Sequence, residues 1–252
     1  MLDRVILKQI NYLISIIYFI YVIFIKILFL LPNYYILNRL INHHDNSQNY
    51  LKSILNVMEV KSTIIKKEDK IKKGFILSNH RCWMDFVIDN YLAESTPLGR
   101  YMAFIAVFFG SIVYYLDNRL IAFNRSKINR KKLYDLCKQK LMTDNYYNQR
   151  ILIYPEGTRM QYKTLNSKDD IKSKFKVGLL KEIYQREEYP VQIQLTSNKD
   201  DTIQEKIFYI KKGITYKTAY SKEIHPKDYS TFEEFLDKIS EDWYQLWKIT
   251  HT

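Results

Sequence analysis

Phe75-Ile76-Leu77-Ser78-Asn79-His80-Arg81-Cys82-Trp83-Met84-Asp85-Phe86 sets the fold class. Three apolar residues run into the polar pair Asn79-His80, and a helical candidate, Asp85–Glu94, opens five positions after the histidine. An apolar strand feeding a turn and then a helix is one unit of an α/β domain. On one continuous helix, five residues turn through about 500°, which would leave His80 and Asp85 about 140° apart. The two side chains can meet only if His80 sits in a turn and Asp85 lies on the first turn of the following helix. Negative charge is favoured at that end of a helix.

The alternation continues along the chain. Strand candidates at Phe75–Ser78, Leu120–Phe123, Ile151–Tyr154, Val191–Leu195 and Lys206–Lys217 alternate with helical candidates at Asp85–Glu94, Arg130–Met142, Val177–Gln185 and Phe232–Lys248. The expected class is α/β, with a mixed, mainly parallel central sheet flanked by helices. The last helix is the clearest, because Thr231 and Glu234 form a capping box. Phe232, Phe235, Leu236, Ile239, Trp243, Leu246 and Trp247 make one apolar stripe, expected to face the core rather than a membrane.

A different composition precedes this region. Ile10 to Leu31 is apolar except for Asn11, Ser15 and Lys26, and a helix of roughly 20 apolar residues spans a hydrocarbon core. No small-residue cleavage site of the A-x-A kind follows it. Pro32 is expected to break the run, with a second helical piece between Tyr34 and Met58; a spanning helix and a monotopic hairpin both fit. Residues 1–58 are therefore read as a membrane-attaching helical segment with its hydrophobic helix at 10–31, and residues 59–252 as the α/β domain.

The chemistry collects where strands end. If Asp85 accepts the Nδ1 proton of His80, it fixes the tautomer and leaves Nε2 as a general base, here for a hydroxyl of the substrate. Ile151-Leu152-Ile153-Tyr154-Pro155-Glu156-Gly157-Thr158-Arg159 reads as a buried strand entering a turn. Gly157 permits close backbone approach, Thr158 offers a hydroxyl, and Arg159 carries a planar fork suited to phosphate. Glu156 can hold Arg159 or accept from a substrate hydroxyl. A third strand, from Leu120, ends at Asn124-Arg125 and supplies a second basic group, Arg125. Ligands of open α/β sheets bind outside the carboxyl ends of the strands, so a base and a phosphate clamp are expected in one cleft.

Together these segments resemble the glycerophospholipid acyltransferase family, the lysophosphatidic acid acyltransferases and their relatives. The blocks that carry the resemblance are Asn79-His80-x4-Asp85, Ile121-Ala122-Phe123-Asn124-Arg125, Glu156-Gly157-Thr158-Arg159 and Tyr189-Pro190-Val191-Gln192-Ile193, with Phe175-Lys176-x-Gly178 after the third. They match in order and spacing over roughly residues 60 to 200. Asn79-His80-Arg81-x-x-Met84-Asp85 looks most like the lysocardiolipin and lysophosphatidylinositol acyltransferase branch. The second block departs from the family pattern by placing Phe123 one position closer to Arg125, and the fourth is more polar, with Gln192 and Gln194.

The resemblance implies an O-acyltransferase of phospholipid biosynthesis. A lysophospholipid hydroxyl would attack acyl-CoA directly, without an acyl-enzyme and with no metal or other cofactor. His80 would be the base and Asp85 its partner; Arg125 and Arg159 would bind phosphate, and Glu156, Gly157 and Thr158 would belong to the acceptor site. The expected partners are a phospholipid membrane, the acceptor and the donor. The expected location is an intracellular membrane, with the catalytic domain facing the cytosol.

Other functions fit parts of the sequence. The net charge of +12 fits any polyanionic partner, and Tyr and Phe are abundant, but no nucleic-acid-binding module is visible and an apolar anchor argues against one. Cys82 and Cys137 lack the spacing of a disulfide framework or a zinc site. Cys82 as nucleophile would need an activating environment that the sequence does not supply. Lys127, Lys131 and Lys132 read as a solvated face, and His43 and His44 as ordinary surface histidines. A catalytically silent, lipid-binding scaffold of the same fold is the remaining rival, although His80, Asp85 and Arg159 are all in place.

Overall fold

The computed structural model of the chain describes residues 2–42, 46–124, 126–159, 165–197, 203–204, 207 and 209–251; His43, His44, Arg125 and Lys206 lie outside them. It opens with one continuous helical rod: α1 (Leu2–Ile20), a π-helical stretch (Tyr21–Leu30) and α2 (Leu31–Asn42), followed by α3 (Ser47–Val57). Pro32 does not break the rod, contrary to the sequence expectation. Leu31 N–H donates five residues back, to the Lys26 carbonyl, and this wider turn makes room for the proline ring, which would crowd an α-helical carbonyl. The expected second piece, 34–58, is divided between α2 and α3, where the Asn46 side chain caps Gln48 and Asn49 (both 3.0 Å). Within the rod, Gln9–Ile41 is long and apolar enough to cross a membrane, by length and composition.

The remaining elements follow as β1 (Lys61–Lys66), β2 (Gly74–Ser78), α4 (Trp83–Ala93), β3 (Thr96–Arg100), α5 (Tyr101–Ala106), α6 (Phe108–Leu116), β4 (Ile121–Phe123), α7 (Arg130–Leu141), β5 (Arg150–Ile153), α8 (Lys168–Lys172), α9 (Gly178–Arg186), β6 (Val191–Ser197), β7 (Ile203–Gln204), β8 (Tyr209–Ile210), β9 (Thr215–Tyr220) and α10 (Phe232–His251). Seven strands form one sheet in the order β1-β9-β6-β2-β5-β3-β4. Strands β6, β2, β5, β3 and β4 are mutually parallel, and β9 joins β6 antiparallel. The expected mixed, mainly parallel sheet flanked by helices is what the chain forms, preceded by the long apolar helix. The expected strand Lys206–Lys217 is displaced: Gly213, at φ 72, turns the chain between β8 and β9.

Every residue of β2, β5 and β6 is buried, as a strand covered on both faces requires. Phe75, Leu77, Ile151, Ile153, Val191 and Ile193 share one apolar cluster with Tyr134 of α7, Ile183 of α9 and Phe235, Ile239 and Trp243 of α10. The α10 stripe thus packs in the core, and its capping box is present: Thr231 N–H donates to Glu234 Oε2 (3.3 Å) and Glu234 N–H to Thr231 Oγ1 (3.2 Å). On the opposite face Val87 and Ile88 of α4 pool with α3, α6 and the inner side of the rod, through Phe19, Val22, Ile23, Ile27 and Tyr35. The unusual polarity of β6 is internal: Gln192 Nε2 donates to the carbonyls of Asp69 (2.8 Å) and Ser221 (2.9 Å), and Gln194 Nε2 to that of Asp89 (3.2 Å).

Candidate active site

The parallel strands deliver their carboxyl ends to one edge of the sheet. At the end of β2, Asn79 Nδ2 donates to the Thr196 carbonyl and Thr196 N–H returns a bond to Asn79 Oδ1, both at 3.0 Å. This two-way tie to β6 turns the chain out of the sheet and places His80, Arg81 and Cys82 in the short link to α4. Asp85 sits on the first turn of α4 and reaches back, its Oδ2 accepting from the backbone N–H groups of Cys82 (2.6 Å) and Arg81. The same oxygen lies 3.6 Å from His80 Nδ1. The His80 ring stacks on Tyr154 with centroids 4.5 Å apart. Its Nδ1 is buried, while the side chain keeps 22% of its surface open.

Arg81 completes the cluster, a role that nothing in the sequence marks beyond its place inside the motif. It is nearly buried, with Nη2 3.3 Å from Asp85 Oδ1 and the guanidinium 5.0 Å above the Tyr216 ring. Burial alone would raise the Asp85 carboxyl. The Arg81 charge, the His80 contact and the backbone donors outweigh burial and hold Asp85 below the usual carboxylate range.

One helical turn on, Asp89 behaves in the opposite way. Burial, reinforced by the nearby Asp85 charge, pushes it up to about 8. Ser78 Oγ lies 2.8 Å from the Gln194 carbonyl and 2.9 Å from Asp89 Oδ2. Its single proton belongs to the carbonyl, which can only accept; the neutral Asp89 acid then donates to Ser78. An unfolded aspartate loses its proton near about 3.9, so between there and about 8 the folded chain holds the extra proton. Stability therefore falls as pH rises through that interval. Asp89→Asn matches the neutral acid in shape and cannot ionise. Thermal melts from about pH 5 to 8 should show the native chain losing Tm and the variant staying flatter; parallel curves would refute the assignment.

The β5 end supplies the facing wall. Gly157 N–H donates to the Tyr154 carbonyl (3.0 Å) in a turn that holds Gly157 at φ 69, where a Cβ would come within 3.0 Å of Lys176 Cγ. Lys176 N–H donates to the Pro155 carbonyl (2.7 Å), docking the Phe175–Gly178 element on this turn. Glu156 is wholly buried, and its Oε1 accepts from the His80 backbone N–H at 3.4 Å. Thr158 and Arg159 follow on the exposed side of the turn. Arg100, at the end of β3 and without a motif to mark it in the sequence, donates from Nη2 to the Gly157 carbonyl (3.2 Å).

The structure thus brings His80, Asp85, Glu156 and Gly157 together and leaves Thr158 and Arg159 exposed just beyond them. Arg125 lies outside the described residues; the end of β4, two residues before it, is three strands from β2 in the sheet order, roughly 14 Å at ordinary strand spacing. An open cleft of ≈ 350 Å³ beside the start of β4, lined by Asn118, Leu120, Leu136 and Thr143 among others, contains none of these residues. Among the described residues no three His, Cys, Asp or Glu side chains converge as metal ligands.

The chain is similar in fold to the crystal structure of the 1-acyl-sn-glycerophosphate (LPA) acyltransferase PlsC from Thermotoga maritima, with a TM-score of 0.57 and 15% sequence identity, over 96% of this chain and 97% of that one. No curated protein matches the sequence. The Acyltransferase family model matches residues 59–192, more than half of the 252 residues and the whole stretch from β1 to the start of β6. This chain belongs to the Acyltransferase family.

Proposed function

We propose that this acyltransferase moves a fatty acyl group from acyl-CoA to the free hydroxyl of a lysophospholipid such as lysophosphatidic acid, at a membrane surface, with His80 as general base. The observation that carries the reading is the partly exposed His80 ring, whose Nδ1 is turned inward to Asp85 at 3.6 Å. With Nδ1–H directed at the carboxylate, Nε2 at the opposite edge of the ring accepts the hydroxyl proton. The hydroxyl oxygen then forms its bond to the thioester carbonyl carbon, and the negative charge passes to the carbonyl oxygen. Collapse of that intermediate breaks the C–S bond, and protonated His80 returns its proton to the leaving thiolate. The acceptor phosphate docks on Arg125 and Arg159, with Gly157 and Thr158 lining its approach, Glu156 steadying the His80 backbone and Arg100 adding positive charge at the same edge. No metal or further cofactor takes part.

The membrane location is supported by the rod. Leu13, Ile17, Phe24 and Leu37 are exposed on it, and Tyr101, Met102 and Ile105 of α5 directly after Arg100; so large an apolar surface calls for lipid cover. An intracellular membrane, with the sheet on the cytosolic side, fits an acyl-CoA donor.

Incubating the purified full chain with labelled acyl-CoA and a panel of lysophospholipids tests the proposal. Transfer to at least one acceptor is expected. Salt-sensitive oligonucleotide binding without transfer, or transfer to no acceptor, would overturn it. Within a positive assay, Arg159→Ala should chiefly raise the KM for acceptor and leave kcat within a few-fold, as loss of a ground-state phosphate contact does. An unchanged acceptor dependence would remove Arg159 from the phosphate site.

A further inference from the structure

His251, the last residue of α10, stacks its imidazole on Trp247 with centroids 4.6 Å apart. Its Nδ1 lies 3.0 Å from the Trp247 carbonyl oxygen and its Nε2 2.7 Å from Ser197 Oγ. Burial lowers His251 to about 4, against the opposing Trp247 bond and with the Arg81 charge adding to the effect, so the ring is neutral near pH 7. A carbonyl only accepts, so Nδ1 carries the ring proton and Nε2 accepts from the Ser197 hydroxyl. With its proton committed in that direction, Ser197 Oγ is left to accept, and Arg81 Nη1 lies 3.4 Å from it. The other terminal nitrogen, Nη2, lies 3.3 Å from Asp85 Oδ1.

A serine and a histidine at this distance also suggest a nucleophile, but Ser197 is 0% exposed and no substrate carbonyl reaches it. The bonds instead run in one direction, from Arg81 to Ser197 to His251 to the end of α10. Arg81 is thereby held at both ends of its guanidinium, between β6 and the first turn of α4. We propose that His251 is a positioning residue for the His80–Asp85 pair, acting through Ser197 and Arg81 to hold the Asp85 carboxylate in line with the imidazole. Without the His251 acceptor the Ser197 proton is no longer drawn away from Arg81, which weakens the hold on Nη1 from the β6 side and lets the guanidinium and the Asp85 carboxylate shift together. None of the three residues belongs to the proposed donor or acceptor contacts, so the effect falls on turnover and not on substrate affinity. The inference rests on the general-base reading of His80.

Four variants of the full chain, in detergent micelles with saturating donor, test it. His251→Phe keeps the stack on Trp247 and lacks the acceptor; Ser197→Ala breaks the next link. Each should lower kcat about tenfold, the rate equivalent of about 1.4 kcal/mol, with the KM for acceptor changed less than about twofold. The double variant should be no slower than Ser197→Ala alone, because both act on one chain of bonds. His251→Gln, whose amide oxygen restores an acceptor toward Ser197, should recover most of the loss. Native kcat in His251→Phe, multiplicative losses in the double variant, or equal losses in His251→Phe and His251→Gln with lowered Tm would each refute the relay. His80→Ala serves as the reference: if it stays fully active, the general-base reading fails and the relay with it, whereas an inactive His80→Ala beside a fully active His251→Phe defeats the relay alone.

Discussion

His80→Ala is expected to transfer acyl groups about 10²–10⁴-fold more slowly than the native chain, the range that a positioned general base contributes. The loss should fall on kcat and kcat/KM alike, since proton removal from the attacking hydroxyl belongs to the transition state. Neighbouring packing does not depend on the imidazole: the turn is held by Asn79 through Thr196 and by the backbone N–H groups of Arg81 and Cys82 on Asp85. The variant should therefore fold and melt like the native chain apart from the lost stack on Tyr154. Native turnover in a folded His80→Ala protein would leave the reaction without its proposed base.

Asp85→Asn should cost nearly as much, about 10²-fold or more, for a different reason. The amide keeps an oxygen that can cap the Cys82 and Arg81 N–H groups, so α4 retains its start. It loses the charge that holds Nδ1–H inward: the oxygen that caps the two N–H groups is also the one that faces His80 Nδ1, and a neutral amide oxygen there fixes the tautomer less firmly. Arg81, now facing a neutral group, also loses its counter-charge in a buried site. A double variant with His80→Ala should be no slower than His80→Ala alone, because an orienting residue has nothing left to orient. Steady-state rates of the two single variants and the double variant decide the matter; a double variant slower by the product of both factors would show that Asp85 acts independently of His80.

Much of this architecture was legible because it rests on burial from both sides. Strands β2, β5 and β6 are unbroken apolar or wholly buried runs, and α10 carries both a cap and a stripe. Strand β1, by contrast, is exposed along its whole length and exists through parallel pairing with β9, a long-range contact with no local signature. Strand β3 includes Pro97 and Gly99, residues that argue against a strand when read alone; it is held between β5 and β4, and without it Arg100 could not be placed. Pro32 misled because its cost depends on whether the preceding turn can widen, which no propensity reveals. At the site, the spacing of His80 and Asp85 stated its own geometric condition, a turn followed by a first helical turn. The contributions of Arg81, Asp89 and Ser197 come from which side chains the sheet order brings together, and spacing along the chain cannot supply that.

The inner side of the N-terminal rod shares an apolar cluster with Val87 and Ile88, on the helix that begins at the Asp85 turn. Cutting the chain after residue 58 to obtain a water-soluble catalytic fragment would thus strip one wall from the reaction centre's own foundation. The fragment would present a raw hydrophobic scar where α3 and the rod had been, and α4 would lose the bedding that keeps its first turn in place. The rod's inner residues thus bed α4 while its outer apolar residues stay exposed, so one helix serves two faces at once.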